Sequence, residues 1–429
     1  MSYDPLIFPI PESVDPDKYV IATYYMEGDV NDILKRAEAI AVEQTTGTWT
    51  LVGEETRGVR EKHVARVIGI YGIPAYQIPP APSIRQFVLQ LAFPVDNLAD
   101  RISGLLSAIL GNLTYDYIKL LDVRLPKEYV KNFKGPKFGI EGVRQLLGIY
   151  NRPLLNTMIK PCTGINAKTV AKLIYESAVG GVDIIKDDEL NTDPKYCPFE
   201  ERLSLGMEAL DKAMQETGEK KLYTINVTDD IDNILEKAEK AVQLGANALM
   251  VDMVPVGFSV VKALAEDPSI NVPILVHPTS WGSMTISHNS GTTDYVLYKL
   301  ARMMGADMAI GPAVPYGKLP AFKHHYYLCA QVMRAPFYHI KRTFPMPSAG
   351  VHPAAVPLII KDLGTDIIVA GGGAVFGHPM GPKNGAKAMR QVIDAALKGL
   401  SLEEAAEQYK ELKVALDKWG YEPVLSVKI

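Results

Sequence analysis

Eight short apolar runs, each followed by a loop and then a helical segment, constrain this 429-residue chain more than any other feature. The runs are Leu154–Ile159, Val182–Ile185, Leu222–Val227, Ala248–Met253, Pro273–Val276, Ala306–Ile310, Phe344–Pro347 and Asp366–Ala370. They are nearly continuous rather than alternating, which is how strands covered on both faces read. The helical segments between them include Ala167–Ser177, Phe199–Glu216, Asp230–Leu244, Phe258–Ala265, Thr293–Met304, Ala354–Leu363 and Asn384–Leu397. Eight βα units over about 240 residues match a (β/α)8 TIM barrel in number and size. An open, doubly wound sheet is the structural alternative. The tail Leu402–Trp419 reads as one or two amphipathic helices capping the barrel.

The chain before this repeat is patterned differently. Tyr19–Tyr25 and Val64–Ile70 read as strands, Phe87–Phe93 as a third, and Val30–Val42 and Asn97–Leu110 carry helical spacing. Interleaved in this way they predict an α/β chain of two parts. Residues 1–140 form an N-terminal α+β, ferredoxin-like domain, and residues 141–429 form the catalytic TIM barrel with its C-terminal helices. A Lys-, Gly- and Pro-containing loop, Pro126–Gly139, links them. Lys+Arg 45 against Asp+Glu 49 gives a net charge of −4, which argues against a nucleic-acid or anionic-membrane binder. No apolar run approaches the roughly 20 residues of a membrane helix. Met1–Pro11 lacks a signal-peptide pattern, and Cys162, Cys197 and Cys329 are odd in number and far apart. A cytoplasmic protein with free thiols is the expectation.

In a TIM barrel the chemistry sits at the C-terminal ends of the strands. There the sequence places Lys160, Lys186 with Asp187, Asp188 and Glu189, Asn226, Asp252, His277, Gly311, Ser348, and Gly371-Gly372-Gly373. The run Gly180-Gly181-Val182-Asp183-Ile184-Ile185-Lys186-Asp187-Asp188-Glu189 is the sharpest signal. It delivers a lysine and three carboxylates to the mouth, and carboxylate oxygens are the hard ligands that Mg2+ prefers. A lysine repels a cation unless its neutral amine adds CO2 to become an anionic carbamate, which a burial-lowered pKa favours. The plainer alternative is a solvated charge cluster in which Lys186 neutralises Asp188.

Lys160 at the first strand end can act as a general base or pair with an enolate oxygen, or be a surface lysine. The glycines of Ala370–Pro379 can cradle a phosphate with backbone N–H groups or form a tight turn, with Ser348-Ala349-Gly350 beside them. His277 can bind a substrate hydroxyl or shuttle a proton, or be structural. Lys318, on the loop after the sixth strand, can close on substrate or stay solvated. Thr46-Gly47-Thr48-Trp49-Thr50 is equally a Gly turn with a core Trp.

Together these segments resemble the large subunit of ribulose-bisphosphate carboxylase over nearly the whole chain. The resemblance runs through Tyr19–Ala22, Thr46–Thr50, Leu110-Gly111-Asn112, Arg152–Leu155, Ile159-Lys160-Pro161, Gly181–Glu189 and Gly371–Pro379. It implies that Lys186 is a carbamylated lysine binding Mg2+ with Asp188 and Glu189. It also implies that Lys160 is the enolisation residue, and that Thr48, Trp49, Gly371 and Gly372 hold a phosphate with Ser348 and Gly350 nearby. Glu43 and Asn112 match residues that a neighbouring subunit donates, so the family implies a head-to-tail homodimer.

Three departures speak against a CO2-fixing carboxylase. Cys162 stands where the family has a second lysine, Pro278 where it has a phosphate-gripping arginine, and Asp307–Pro312 lacks a strand-six histidine. Each lost charge-assisted hydrogen bond to phosphate removes about 1.5–3 kcal/mol. A monophosphate is therefore the expected substrate, in a ribulose-bisphosphate-carboxylase-like (form IV) protein. Gly135–Gly139, Pro347–Pro353 and Leu412–Gly420 resemble the methionine-salvage diketo-phosphate enolase branch. Asn112, the pair Lys160-Pro161, and Lys318 depart from it. The expected activity is Mg2+-dependent enolate formation on a phosphorylated keto sugar or sugar acid, with decarboxylation of a 3-oxo sugar-acid phosphate preferred. The alternatives are the 2,3-diketo-5-methylthiopentyl-1-phosphate enolase, a sugar-phosphate isomerase, and a true carboxylase.

Overall fold

The computed structural model describes residues 3–48, 50, 52–78, 82–317 and 321–423. Its strands are β1 (Tyr19–Asp29), β2 (Arg66–Ile73), β3 (Ile84–Pro94), β4 (Ile118–Arg124), β5 (Leu154–Met158), β6 (Ile184–Lys186) and β7 (Leu222–Asn226). They continue with β8 (Ala248–Asp252), β9 (Ile274–His277), β10 (Gly291–Thr292), β11 (Met308–Ala313), β12 (Phe344–Ser348) and β13 (Ile368–Ala370). The chain divides into two compact units: Met1–Phe133 with Ser280–Leu300, and Lys134–Thr279 with Ala301–Ile429.

In the first unit the antiparallel strands lie in the order β4-β1-β3-β2, and β10 joins β4 in parallel. Helices Ile33–Glu43 and Ile102–Ile109 follow β1 and β3. This is the ferredoxin-like βαββαβ arrangement. β1 alternates because one face is covered: Val20, Ala22, Tyr24 and Met26 are buried between less buried neighbours. Sequence reading passed over β4, where Lys119, Asp122 and Arg124 interrupt a short apolar pattern. The charges are accommodated within this unit, since Lys119 donates to Thr285 O at 2.7 Å and Lys299 donates to Val123 O at 2.8 Å.

In the second unit eight parallel strands pair in the order β12-β11-β9-β8-β7-β6-β5-β13. β12 and β13 lie side by side, so the row returns on itself as a TIM-type barrel and the open-sheet alternative falls. Each apolar run became one strand, with its ends shifted by at most three residues. The helix Lys323–Arg334 between β11 and β12 and the two tail helices Leu402–Gln408 and Lys410–Trp419 complete the pattern. The residues that open the strands, including Leu154, Ile184, Leu222, Met308, Phe344 and Ile368, form one core. Ile140, Val143 and Leu147 of helix Gly139–Leu147 pack into the same core. That helix therefore covers the N-terminal end of the barrel, and each large side chain so buried contributes about 1.5–3 kcal/mol. The buried carboxylate of Asp307 fixes its start by accepting from the N–H groups of Phe138 (2.6 Å) and Gly139 (2.8 Å). The opposite end, where the strands finish, is left for polar chemistry.

Candidate active site

Two glycines aim the second barrel strand. A Cβ on Gly180 would lie 2.4 Å from Lys383 O, and Gly181 has φ +105°, so neither position accepts a side chain without strain. The strand then runs inward through Asp183, which takes two bonds from Arg152 (2.6 and 2.7 Å), and ends at Lys186. Lys186 is 0% exposed. Its Nζ donates to Asp187 O (2.7 Å) and to Glu189 Oε2 (2.9 Å). Asp188 is equally buried and receives Lys160 Nζ at 2.6 Å. Two lysines and two carboxylates thus meet as crossed pairs, and Lys186 neutralises Glu189 rather than Asp188.

Asp187 does not join them. Its carboxylate turns away to Arg202 Nε at 3.0 Å and Asn191 Nδ2 at 3.3 Å. Burial pushes its pKa up, while the Arg202 guanidinium and the backbone N–H of Asn226 oppose the rise. Of the three acids read as facing the mouth, two do. Asp187 is spent on holding the loop, because its neighbours alternate direction as the strand ends. Asn226 reinforces this loop, donating from Nδ2 to Asp188 O (3.2 Å) and Glu189 O (3.1 Å).

His277 ends the fifth barrel strand, with Nε2 3.4 Å from Glu189 Oε2 and Nδ1 2.6 Å from Thr279 Oγ1. Thr279 in turn donates to Asp252 Oδ1 at 3.0 Å. Burial and the Lys186 charge hold the imidazole pKa down to about 3, against the attraction of Glu189. Glu189 is held at about 2: burial raises it, but Lys186 and His277 outweigh burial. Asp252 is pushed up to about 6 by burial, against donation from Thr279. Lys160 stands above its ordinary value, because its bonds to Asp188 and to Cys162 Sγ (2.9 Å) exceed the cost of burial.

The donor set suits a hard divalent cation on one condition. No group of three His, Cys, Asp or Glu side chains among the described residues is placed to hold a metal, and Asp188 and Glu189 each face an ammonium. Addition of CO2 to the neutral Lys186 amine, with release of a proton, exchanges that ammonium for an anionic oxygen donor beside both carboxylates. The residues then fit Mg2+ as three oxygen ligands.

Beside this cluster lies a cavity of about 450 Å3 lined by Lys160, Gly350, His352, Gly372, Gly373 and Trp419, among others. The N–H of Gly371 is committed to Asn156 O at 2.9 Å, so the predicted glycine cradle presents Gly372 and Gly373 to the cavity instead. Ser348 ends β12, buried, behind Gly350. Thr48 is exposed in the first unit, as is Asn112, which opens a short turn, Asn112–Asp116. Trp49 and Lys318 lie outside the described residues. The polar groups that sequence reading passed over are Thr279, Arg202 and His352, while Asp252 was placed at its strand end without a specific role. Of the three passed over, His352 carried a local signal, inside the run Pro347–Pro353.

The catalytic-domain model of the ribulose bisphosphate carboxylase large chain matches residues 139–419, and the N-terminal-domain model matches residues 11–129. The chain belongs to the ribulose bisphosphate carboxylase large-chain family. A ribulose bisphosphate carboxylase-like protein of Archaeoglobus fulgidus is 49% identical over 405 residues, 93% of this chain and 92% of the relative. A 2,3-diketo-5-methylthiopentyl-1-phosphate enolase of Geobacillus thermodenitrificans is 38% identical over 408 residues, 94% and 98% of the two chains. The crystal structure of a rubisco-like protein (MtnW) from Alicyclobacillus acidocaldarius superposes with a TM-score of 0.87 at 37% identity, covering 95% of this chain and 100% of that one. This large-chain family member is thus similar over 93–95% of its length to two rubisco-like proteins and to an enolase.

Proposed function

We propose that this large-chain relative is a Mg2+-dependent, enolate-forming enzyme acting on a phosphorylated keto sugar or sugar acid. The observation that carries the reading is the buried Lys186 paired with Glu189, next to Asp188 paired with Lys160. Lys186 as its carbamate, with Asp188 and Glu189, would hold Mg2+, which supplies Lewis-acid stabilisation of negative charge on substrate oxygens. The remaining steps belong to the chain's own groups. Ionised Asp252 accepts the only Thr279 proton, so Thr279 accepts from His277 Nδ1–H, and His277 presents a bare Nε2 to the site. That nitrogen can accept a hydrogen bond from a substrate hydroxyl.

Decarboxylation of a 3-oxo sugar-acid phosphate is the step this arrangement favours. The electron pair of the breaking C–C bond moves into the neighbouring carbonyl, CO2 leaves, and an enediolate remains. Lys160, kept as an ammonium by Asp188, then gives its Nζ proton to that carbon. The second reading is enolisation of a diketo phosphate, favoured by the 38% identical enolase. It needs a base, and Lys160 serves only after passing its proton on. Lys318 would complete the proposed substrate site, and Glu43, Thr48, Trp49 and Asn112 would be donated by the N-terminal part of the partner in a homodimer.

The test is a substrate comparison with Mg2+ and bicarbonate present. Phosphorylated 3-oxo sugar acids, the diketo-methylthiopentyl phosphate and ribulose bisphosphate are followed by 31P NMR and by CO2 release or fixation. CO2 release from the first class is expected. Turnover of the diketo phosphate alone selects the enolase, carboxylation of the bisphosphate selects a carboxylase, and turnover that survives loss of Lys186 removes the metal reading altogether.

A further inference from the structure

We propose that Lys160 and Cys162 form a reversible sulfur–nitrogen bond under peroxide, which switches off the lysine at the barrel mouth. The bond itself does not depend on the reaction proposed above; only its effect on turnover does. The site is a pair of reactive groups in contact: Lys160 Nζ donates to Cys162 Sγ at 2.9 Å. The two residues flank Pro161, whose ring fixes a backbone torsion between them, so the short spacing is built into the chain. The flexible four-carbon stem of the lysine absorbs the movement that turns this contact into a bond. Cys162 stands where the resembling carboxylases carry a second lysine, and no step proposed above uses its thiol.

Access separates this thiol from the other two. Cys197 and Cys329 are buried, whereas Cys162 is half-buried and the Lys160 side chain is 34% exposed. Lys160 also lines the cavity of about 450 Å3, which gives a small oxidant a path to the pair. Exposure beside a positive charge is the setting in which thiols oxidise selectively. The chemistry takes two steps. Cys162 sulfur attacks one oxygen of hydrogen peroxide, the O–O bond breaks, and a sulfenic acid (S–OH) and water result; sulfur loses two electrons and peroxide gains them. Lys160 then gives one Nζ proton to the S–OH oxygen and a second to solvent. Its lone pair forms the S–N bond as the S–O bond breaks, and water leaves. The bridged nitrogen keeps one hydrogen and no charge, so Asp188 loses its ammonium partner and the mouth loses its proton donor. The bridge also holds sulfur short of the irreversible sulfinic acid. A thiol reductant attacks the sulfur, breaks the S–N bond and returns the amine; a second thiol then frees Cys162 from the mixed disulfide.

The experiment treats full-length protein with hydrogen peroxide and reads its peptides by mass spectrometry. The peptide holding Lys160 and Cys162 should be lighter by two hydrogens, Lys160 should lose its reaction with acetic anhydride, and dithiothreitol should restore both. Cys162→Ser should show no mass loss and keep Lys160 reactive under peroxide. Lys160→Arg should stop at a sulfenic acid that dimedone traps. A two-hydrogen loss with Lys160 still reactive places the bond on another nitrogen and overturns the proposal. A disulfide or a sulfinic acid at Cys162, with Lys160 still reactive, overturns it equally. Turnover of whichever substrate the comparison above identifies should fall with peroxide and recover with dithiothreitol, and a bridged protein at full turnover overturns the switch. The mass and acetylation readouts need no substrate, so this inference and the proposed reaction fail separately. Both are made on the unsubstituted protein and decide even where a variant does not fold.

Discussion

Lys186 is the residue on which the proposed chemistry turns, because it is fully buried and ion-paired to Glu189, itself 27% exposed. As a carbamate it would exchange that ammonium for an anionic oxygen donor beside Asp188 and Glu189, the donor set a divalent cation needs. Lys186→Ala should abolish bicarbonate-dependent Mg2+ binding in calorimetry and lower turnover at least about a thousandfold. Full Mg2+ affinity in that variant would refute the ligand assignment. Thr279 acts one bond further out, setting which nitrogen of His277 carries the proton. Thr279→Val should reduce kcat about tenfold to a hundredfold while Mg2+ affinity stays constant. Its 15N spectrum should show the His277 Nδ1–H signal altered, and an unchanged spectrum with unchanged kcat would end this role.

At the scale of single elements, the loop after β6 is built by its non-reacting members. Arg202 ties Asp187 (3.0 Å) to the carbonyls of Cys197 (2.7 Å), Asn191 (2.9 Å) and Thr192 (2.8 Å), all inside the barrel wall. Arg202→Met leaves a buried carboxylate and three carbonyls without that donor, so unfolding free energy should fall by about 3–5 kcal/mol in urea titration. A second device holds the β13 end: Asp366 receives Arg144 at 3.0 Å and Arg342 at 2.9 Å. Burial raises its pKa, yet the two arginines hold it below the ordinary 3.8. Its contribution is therefore present above pH 3.8 and is lost as pH falls through the lower folded value. Asp366→Asn should destabilise the protein by about 1 kcal/mol at pH 7, since the site is partly solvated. The gap to the unsubstituted protein should close below pH 4, and a gap that persists there would contradict the ionic origin.

For the whole molecule, ligands that bind only the folded site stabilise it by mass action. Mg2+ with bicarbonate at about 100 times its Kd should raise unfolding free energy by about 2.7 kcal/mol, and removal with EDTA should reverse this. Light scattering tests the proposed dimer, with a monomer at micromolar concentration as the contrary result. The barrel was legible because strands covered on both faces must be continuously apolar, so Leu154–Ile159 through Asp366–Ala370 stand out without any long-range information. Strand β4 was not legible, since Lys119 and Asp122 break its pattern and are met by Thr285 and Lys299, 160 or more residues away. The run Lys186–Glu189 likewise pointed to a cluster of lysine and carboxylates at the strand end by residue type and spacing alone. Which carboxylates face the mouth did not follow from that run. Asp187 is chemically identical to Asp188, and the positions of Arg202 and Lys160 separate a loop anchor from a proposed ligand. The same holds for His352, an ordinary histidine until folding buries its ring away from every hydrogen-bond partner among the described residues. Local pattern thus specifies the elements and the stock of reactive groups, because backbone periodicity and ligand chemistry are short-range properties. Which groups meet, and which are left without partners, depends on contacts between distant segments that exist only in the packed chain.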